Sequence, residues 1–300
     1  MTEIDKTKEI MKILSRPKGN AEEYGRWSVN PYVGCPNQCE YCYLRKGVWK
    51  NTLGSEFQVT KSGIRNWHHA FYLAMAEIEE HYDEIMRDGG LFMSFTTDPM
   101  IEPCRAVTFS IIREIGRHHY FCFPLYLTVL TKDAGFVTSY EYDRYLFIEN
   151  QQKEANQNIA LGWTLTGHDE MEPHASSNAD RIRAMEKAHA DGFRVWASIE
   201  PVIDFHSSLV MIKEAVAAGC QHFKIGLLTS NTKVCRNKYD VIECMRFITD
   251  VYTITRNKAT VYWKQSVRDL LGTAYTAAAI DEILDKPNFV GKDWSIFNEQ

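Results

Sequence analysis

Apolar positions along the chain fall into two alternating rhythms. Compact apolar runs recur at 91–96, 125–131, 158–165, 193–199 and 222–228, the pattern of strands buried on both faces. Between them, apolar residues at helical spacing mark 103–118, 138–148, 178–190, 207–218 and 239–250. Such alternation requires parallel strands joined by right-handed helical crossovers. Trp27 to Val33 alternates loosely and reads as the first strand, which makes six βα units.

The flanks are less regular. Residues 3–15 read as a short helix with apolar Ile4, Ile10, Met11 and Leu14, stopped by Pro17 and Gly19. The stretch 46–66, rich in Lys, Gly, Ser and Asn, reads as an irregular excursion. A long helix over 67–86 then carries Phe71, Met75 and Ile78 and stops at Gly89 and Gly90. Ala259 to Trp263 extends the sheet edge, and 264–300, with a helix over 269–284, reads as a cap. The chain is therefore expected to be one domain: an N-terminal helical appendage (1–26), an α/β barrel (27–258) and a C-terminal strand and helix cap (259–300).

Composition narrows the function. At 300 residues and 45% hydrophobic content the chain can bury a large core. A net charge of −5 and a pI near 6.1 argue against a protein that coats nucleic acid through phosphate contacts, although a local basic groove stays open. No run of about 18 apolar residues occurs and the first ten residues are too charged for a signal peptide, so the expectation is a cytoplasmic protein with no membrane contact. Eight cysteines without a secretory signal argue for reduced thiols.

Chemistry concentrates at Asn30 to Arg45, NPYVGCPNQCEYCYLR, which sets Cys35, Cys39 and Cys42 in a CxxxCxxC pattern. Three cysteines suit a [4Fe–4S] cluster with one iron left open to a small molecule, whereas most clusters take four. Structural zinc also wants four ligands, and no second cysteine pair is apparent. Zinc would have to recruit Cys104, Cys122 or a histidine. The expected strand ends turn abruptly polar, as FTTDPMIEP, LTKDAG, TLTGHDEMEPH, SIEPVID and LLTSNTK. Loops are polar in any case, but Asp98, Lys132, Glu172 and Glu200 come from four strand ends. Barrel sites gather at those ends, and charges brought over one cavity need partners or a ligand.

The cysteine stretch resembles the radical S-adenosylmethionine (SAM) superfamily, with aromatic Tyr41 just before the last cysteine. NPYVGC and CEYCYLR look like its spore photoproduct lyase branch. The resemblance implies a partial (β/α)6 TIM-type barrel of the radical SAM type, with Cys35, Cys39 and Cys42 as cluster ligands. It implies reductive cleavage of SAM to a 5′-deoxyadenosyl radical that takes hydrogen from a substrate, with electrons from an external flavodoxin- or ferredoxin-type donor. Tyr41 and Tyr43 would lie near the adenosyl group. Thr96, Thr97 and Asp98 belong to a strand-end motif that would meet the SAM amino group or ribose, and Lys132 would pair with its carboxylate. Thr164 and Thr166 would sit near the ribose, and Ser198 to Pro201, including Glu200, near the adenine.

One position departs from the branch. Where a hydrogen-donor cysteine is implied after the second strand, this chain has Phe95 or Thr96, and the nearest thiol is Cys104. Cys104 is thus both the candidate catalytic thiol and a candidate small buried hydrophobe. The resemblance favours a nucleobase or nucleic-acid substrate, whereas the acidic pI and the missing thiol favour a nucleotide, small metabolite or peptide. A non-catalytic zinc or iron–sulfur module is the reading from another class.

Overall fold

The computed structural model describes residues 13–45, 66–102, 104–117, 125–145, 157–229, 239–292 and 294–297. Eight strands form one sheet in chain order: β1 (Leu14–Ser15), β2 (Ser28–Val29), β3 (Leu91–Met93), β4 (Leu127–Thr131), β5 (Ile159–Thr164), β6 (Arg194–Val202), β7 (His222–Leu227) and β8 (Thr260–Trp263). β1 is antiparallel to β2, and the other neighbouring pairs are parallel. Among the described residues nothing pairs β1 with β8, so the sheet is a barrel left open at one seam. The helices are α1 (Trp67–Glu80), α2 (Tyr82–Arg87), α3 (Cys104–Arg117), α4 (Tyr140–Tyr145), α5 (Asn178–Ala190), α6 (Phe205–Ala217), α7 (Val241–Thr255), α8 (Gln265–Leu271) and α9 (Ala277–Ile283). This is the partial (β/α)6 architecture expected from the alternation, with β1 and β8 added at its two edges. Among the described residues no helix is long and apolar enough to cross a membrane.

Sequence chemistry explains the central elements. Every residue of β5, IALGWT, is buried, because helices cover one face and the barrel interior the other. Gly162 is required there: a Cβ at that position would stand 2.1 Å from the Trp196 ring. Its absence lets the indole reach across to the Val129 carbonyl at 3.2 Å. Helices restart on caps placed just after the polar strand ends. Ser177 accepts from Asp180 N, Asp204 from Ser207 N, and Asp240 from Ile242 N and Glu243 N.

Three expectations change. The helix foreseen over 67–86 breaks at His81 into α1 and α2. The one foreseen over 269–284 is two helices, α8 ending at Gly272 and α9 capped by Thr276. Residues 3–12 of the expected N-terminal helix lie outside the described residues, and Leu14–Ser15 at its end is a strand. Long-range partners decide this: Ile13 N and Leu14 N donate to the Glu77 carboxylate at 3.2 and 2.8 Å, and Asn30 N donates to Ile13 O at 3.0 Å.

The interior is closed at one end and hollow at the other. Trp294, Ile296 and Phe297 plug the end where strands begin. There Phe297 stacks on Tyr126 at 4.6 Å, Trp294 meets His222 at 4.5 Å, and Arg194 donates to Ile296 O at 2.9 Å. Above the plug, Tyr24 packs on Phe92 and lies 6.3 Å from Trp196. The segment carrying Tyr24 spans the seam: it follows β1 at one edge, yet Glu23 accepts from Tyr262 Oη and Gln265 N beyond the other, at 2.9 and 2.8 Å.

Candidate functional site

At the C-terminal ends of the strands opens a cavity of about 470 Å³. Cys35, Cys39 and Cys42 line one side of it, and all three are free thiols. The loop bearing them is held in several ways. Gly34, at φ +93°, donates its N–H to Thr96 O at 2.9 Å, a conformation that suits glycine. Cys42 N donates to Cys39 O and Arg45 N to Cys42 O, each at 3.2 Å, while the Arg45 guanidinium caps the carbonyls of Gln38 and Cys39. Burial, then the nearby Asp98 charge, pushes the Cys35 thiol up to about 12; burial raises Cys39 as well. Such thiols are inert until a metal draws off their protons. Among the described residues no three His, Cys, Asp or Glu side chains come together around a single metal ion.

Asp98 ties this loop to two strand ends. Its carboxylate accepts from Asn37 Nδ2 (3.1 Å), Thr131 Oγ1 (2.5 Å), Lys132 N (2.8 Å) and Met100 N (3.0 Å). Lys132 follows at the end of β4, where its side chain lines the cavity and its ammonium stands 5.5 Å from the centre of the Tyr41 ring. Burial works against its charge, but the facing Cys39 and Glu172 outweigh it and raise its pKa.

The opposite wall is a polar network. Tyr24 Oη donates to Glu200 and lies 2.9 Å from Ser198 Oγ. Lys264 Nζ donates to Glu200 at 2.5 Å and stands 3.5 Å from Glu23 and 4.2 Å from the Tyr24 ring centre. Lys224 lies behind, donating to Glu23 O at 2.7 Å; burial, then the charge of Lys264, depresses its pKa to about 7.

Of the residues foreseen from the sequence, the cavity brings together the three cysteines, Tyr41, Tyr43, Thr97, Asp98, Lys132, Thr164, Ser198 and Glu200. Three others stand back from it. Thr96 Oγ1 donates to Tyr32 O, and Thr166, fully buried, holds His168 N at 3.2 Å. Cys104, 1% exposed at the start of α3, packs in the main core, and burial pushes its thiol well above the ordinary range. Glu172, expected over the cavity, is buried beneath it: Arg181 on α5 draws the carboxylate inward at 2.6 Å, with no exposed surface on either side chain. The basic stretch with Lys233, Arg236 and Lys238 lies outside the described residues, whereas Tyr239, just after it, donates to Val202 O. The sequence reading passed over Tyr24, Asn37, Arg181 and Lys264. Lys264 carried a usable signal, since it ends an apolar strand as Lys132 does.

No protein-family model matches the chain. An uncharacterized protein of Methanocaldococcus jannaschii is 23% identical over 208 residues, covering 65% of this chain and 68% of that one. Among solved structures, a point mutant of spore photoproduct lyase superposes with a TM-score of 0.59 at 15% identity, covering 84% of this chain and 79% of that chain. The fold is that of spore photoproduct lyase. A double mutant of the lyase with bound AdoMet and dinucleoside spore photoproduct aligns at TM-score 0.52 and 15% identity, covering 82% of this chain and 64% of that one. SuiB of Streptococcus suis, bound to S-adenosylmethionine, aligns at 0.50 and 10% identity, over 83% and 53%. The open sheet with its helices thus shares the fold of these two enzymes, and the cysteine loop leads out of its first parallel strand.

Proposed function

We propose that the chain is a radical SAM enzyme whose Cys35, Cys39 and Cys42 hold a [4Fe–4S] cluster. The observation that carries this reading is the placing of three free thiols on one wall of the cavity that Lys132, Thr164, Ser198 and Glu200 also line. The donor set fits the group. Three cysteine thiolates suit a cluster with one iron left open, whereas a structural zinc takes four ligands.

When bound, the reduced cluster and SAM supply a 5′-deoxyadenosyl radical that takes hydrogen from the substrate. The residues of the chain bind and orient. Lys132 offers its ammonium to the SAM carboxylate, Thr97 and Thr164 offer hydroxyls to its amino group and ribose, and Ser198 and Glu200 face the adenine. Tyr41 and Tyr43 bound the adenosyl side, Asp98 holds the cysteine loop to Lys132, and Thr96 and Thr166 brace these walls from behind. Tyr24, before the barrel, and Lys264, after it, complete the cavity. A flavodoxin- or ferredoxin-type donor in the cytoplasm supplies electrons.

The substrate on this reading is a nucleobase or nucleic acid, as in the lyase complex with a dinucleoside photoproduct. A small metabolite or peptide is the second reading, favoured by the net charge of −5 and by the seat of Cys104 in the core rather than the cavity. Retention on DNA that falls steeply with salt supports the first; no retention supports the second. Cys39→Ala tests the enzyme itself: iron and SAM cleavage should be lost while the circular dichroism of the barrel stays. Retained cleavage would overturn the assignment.

A further inference from the structure

Beneath the cysteine loop the buried contacts run in one line. Tyr41, between Cys39 and Cys42, donates its phenol hydrogen to Glu172 Oε1. Glu172 Oε2 meets Arg181 at 2.6 Å, off the axis of a hydrogen bond. Arg181 donates a further N–H to Thr164 O at 2.9 Å, at the end of β5. The neighbouring backbone repeats the latch, with Glu40 N donating to Met171 O at 3.0 Å. Cys39 and Tyr41 also pack with apolar Met171, Ile203 and Leu228. Apolar packing excludes water but sets no direction, so the bonds to Met171 and Glu172, beside the Arg45 bonds to the Gln38 and Cys39 carbonyls, orient this side of the loop.

A dry ion pair is a poor device for stability, since removing both charges from water offsets much of their attraction, and well-packed apolar side chains often hold a fold as well. Here the pair fixes a carboxylate where a tyrosine must point. The Tyr41 ring is in turn the surface over which the Lys132 ammonium stands. We propose that Glu172 and Arg181 are positioning residues, which set the orientation of Tyr41 and thereby the cysteine loop and Lys132 before any cofactor arrives. The assignment rests on reading Cys35, Cys39 and Cys42 as cluster ligands, but its test does not depend on loading them.

Glu172→Gln leaves Arg181 buried without a counter-charge and can cost the fold, so Tyr41→Phe carries the experiment: it keeps the ring and the ion pair and removes only the bond to Glu172. In the metal-free protein, amide hydrogen exchange at Cys42 and Arg45 should quicken roughly tenfold, the scale of one hydrogen bond to a charged acceptor, while the β5 amides stay unchanged. In protein reconstituted with iron and sulfide, release of iron to a chelator should quicken by a similar factor, and the electron paramagnetic resonance line shape of the reduced centre should change. Wild-type exchange at Cys42 and Arg45 in Tyr41→Phe overturns the proposal. A wild-type protein that takes up no iron contradicts the cluster assignment instead, and the exchange rates of the metal-free chain still decide the clamp.

Discussion

Tyr24 donates its phenol hydrogen to Glu200, a residue 176 positions away in sequence and on the far side of the open seam. Among the described residues the sheet does not close by strand pairing between β1 and β8. Instead the N-terminal segment reaches across the gap, and the side chains of Glu23 and Tyr24 meet β6, the end of β8 and Lys264. Tyr24, Glu200 and Lys264 also line the cavity. Closing the seam and building one wall of the site are thus the same structural act.

Lys264 is the charge on which that wall balances, being 3% exposed and set between Glu200 and Glu23. Lys264→Ala leaves Glu23 buried without its counter-charge. The expected loss is about 3–5 kcal/mol, the usual cost of breaking a buried pair from one side. Urea titration should show a lower midpoint with an unchanged slope; an unchanged midpoint would mean that water already screens the network.

Gly162 gives a test of the barrel interior. Gly162→Ala drives a methyl into the Trp196 ring, 2.1 Å away. Overpacking of this kind costs about 1–3 kcal/mol. Thermal unfolding should fall by several degrees, and the double variant Gly162→Ala with Trp196→Phe should recover part of the loss.

Away from the cavity, His168 links Glu170 at 2.7 Å and Asp204 at 2.6 Å. Burial opposes its charge, but these two hydrogen bonds outweigh it and raise its pKa above the ordinary value. Its stabilising effect is therefore complete below about pH 6.5, the unfolded value, and is lost as pH rises through the folded one. Asp204 is held at about 2: burial raises it, and Ser207 and His168 together outweigh that. Its effect is present above about pH 3.9 and fades as pH falls toward 2. Stability measured at pH 5.5 and 8.5 should differ more in the wild type than in His168→Gln. Equal differences would show that the pair adds nothing.

Much of the architecture was legible because β4 to β7 are largely buried and stand out as mainly apolar runs between polar strand ends. β1 was not, since two residues carry no periodicity and their conformation is set by Glu77 on α1. The strand-end rule placed Asp98, Lys132 and Glu200 at the cavity, because in a barrel those positions converge whatever the loops do. It could not separate Glu172 from them, for the arginine that turns Glu172 inward sits on a helix where its spacing looks like that of a solvated face. Tyr24 was hidden for a similar reason: a residue in an irregular segment shows no pattern that reveals which way it points.

Cys104 tests whether a core thiol is needed for SAM cleavage. Packed in the core at 1% exposure, it should serve as a small apolar residue, so Cys104→Ala should retain SAM cleavage and lose only about 1 kcal/mol of stability, as for removal of one buried small group. Loss of cleavage with an intact fold would return the thiol to the reaction.

The central claim meets its most direct test in one anaerobic measurement. The protein is reconstituted with iron and sulfide, reduced with dithionite and incubated with SAM, and 5′-deoxyadenosine is quantified beside iron and zinc. The expected result is about four irons per chain and nucleoside formation that disappears when Cys35, Cys39 or Cys42 is replaced. Zinc held in place of iron, with SAM left intact, would contradict it.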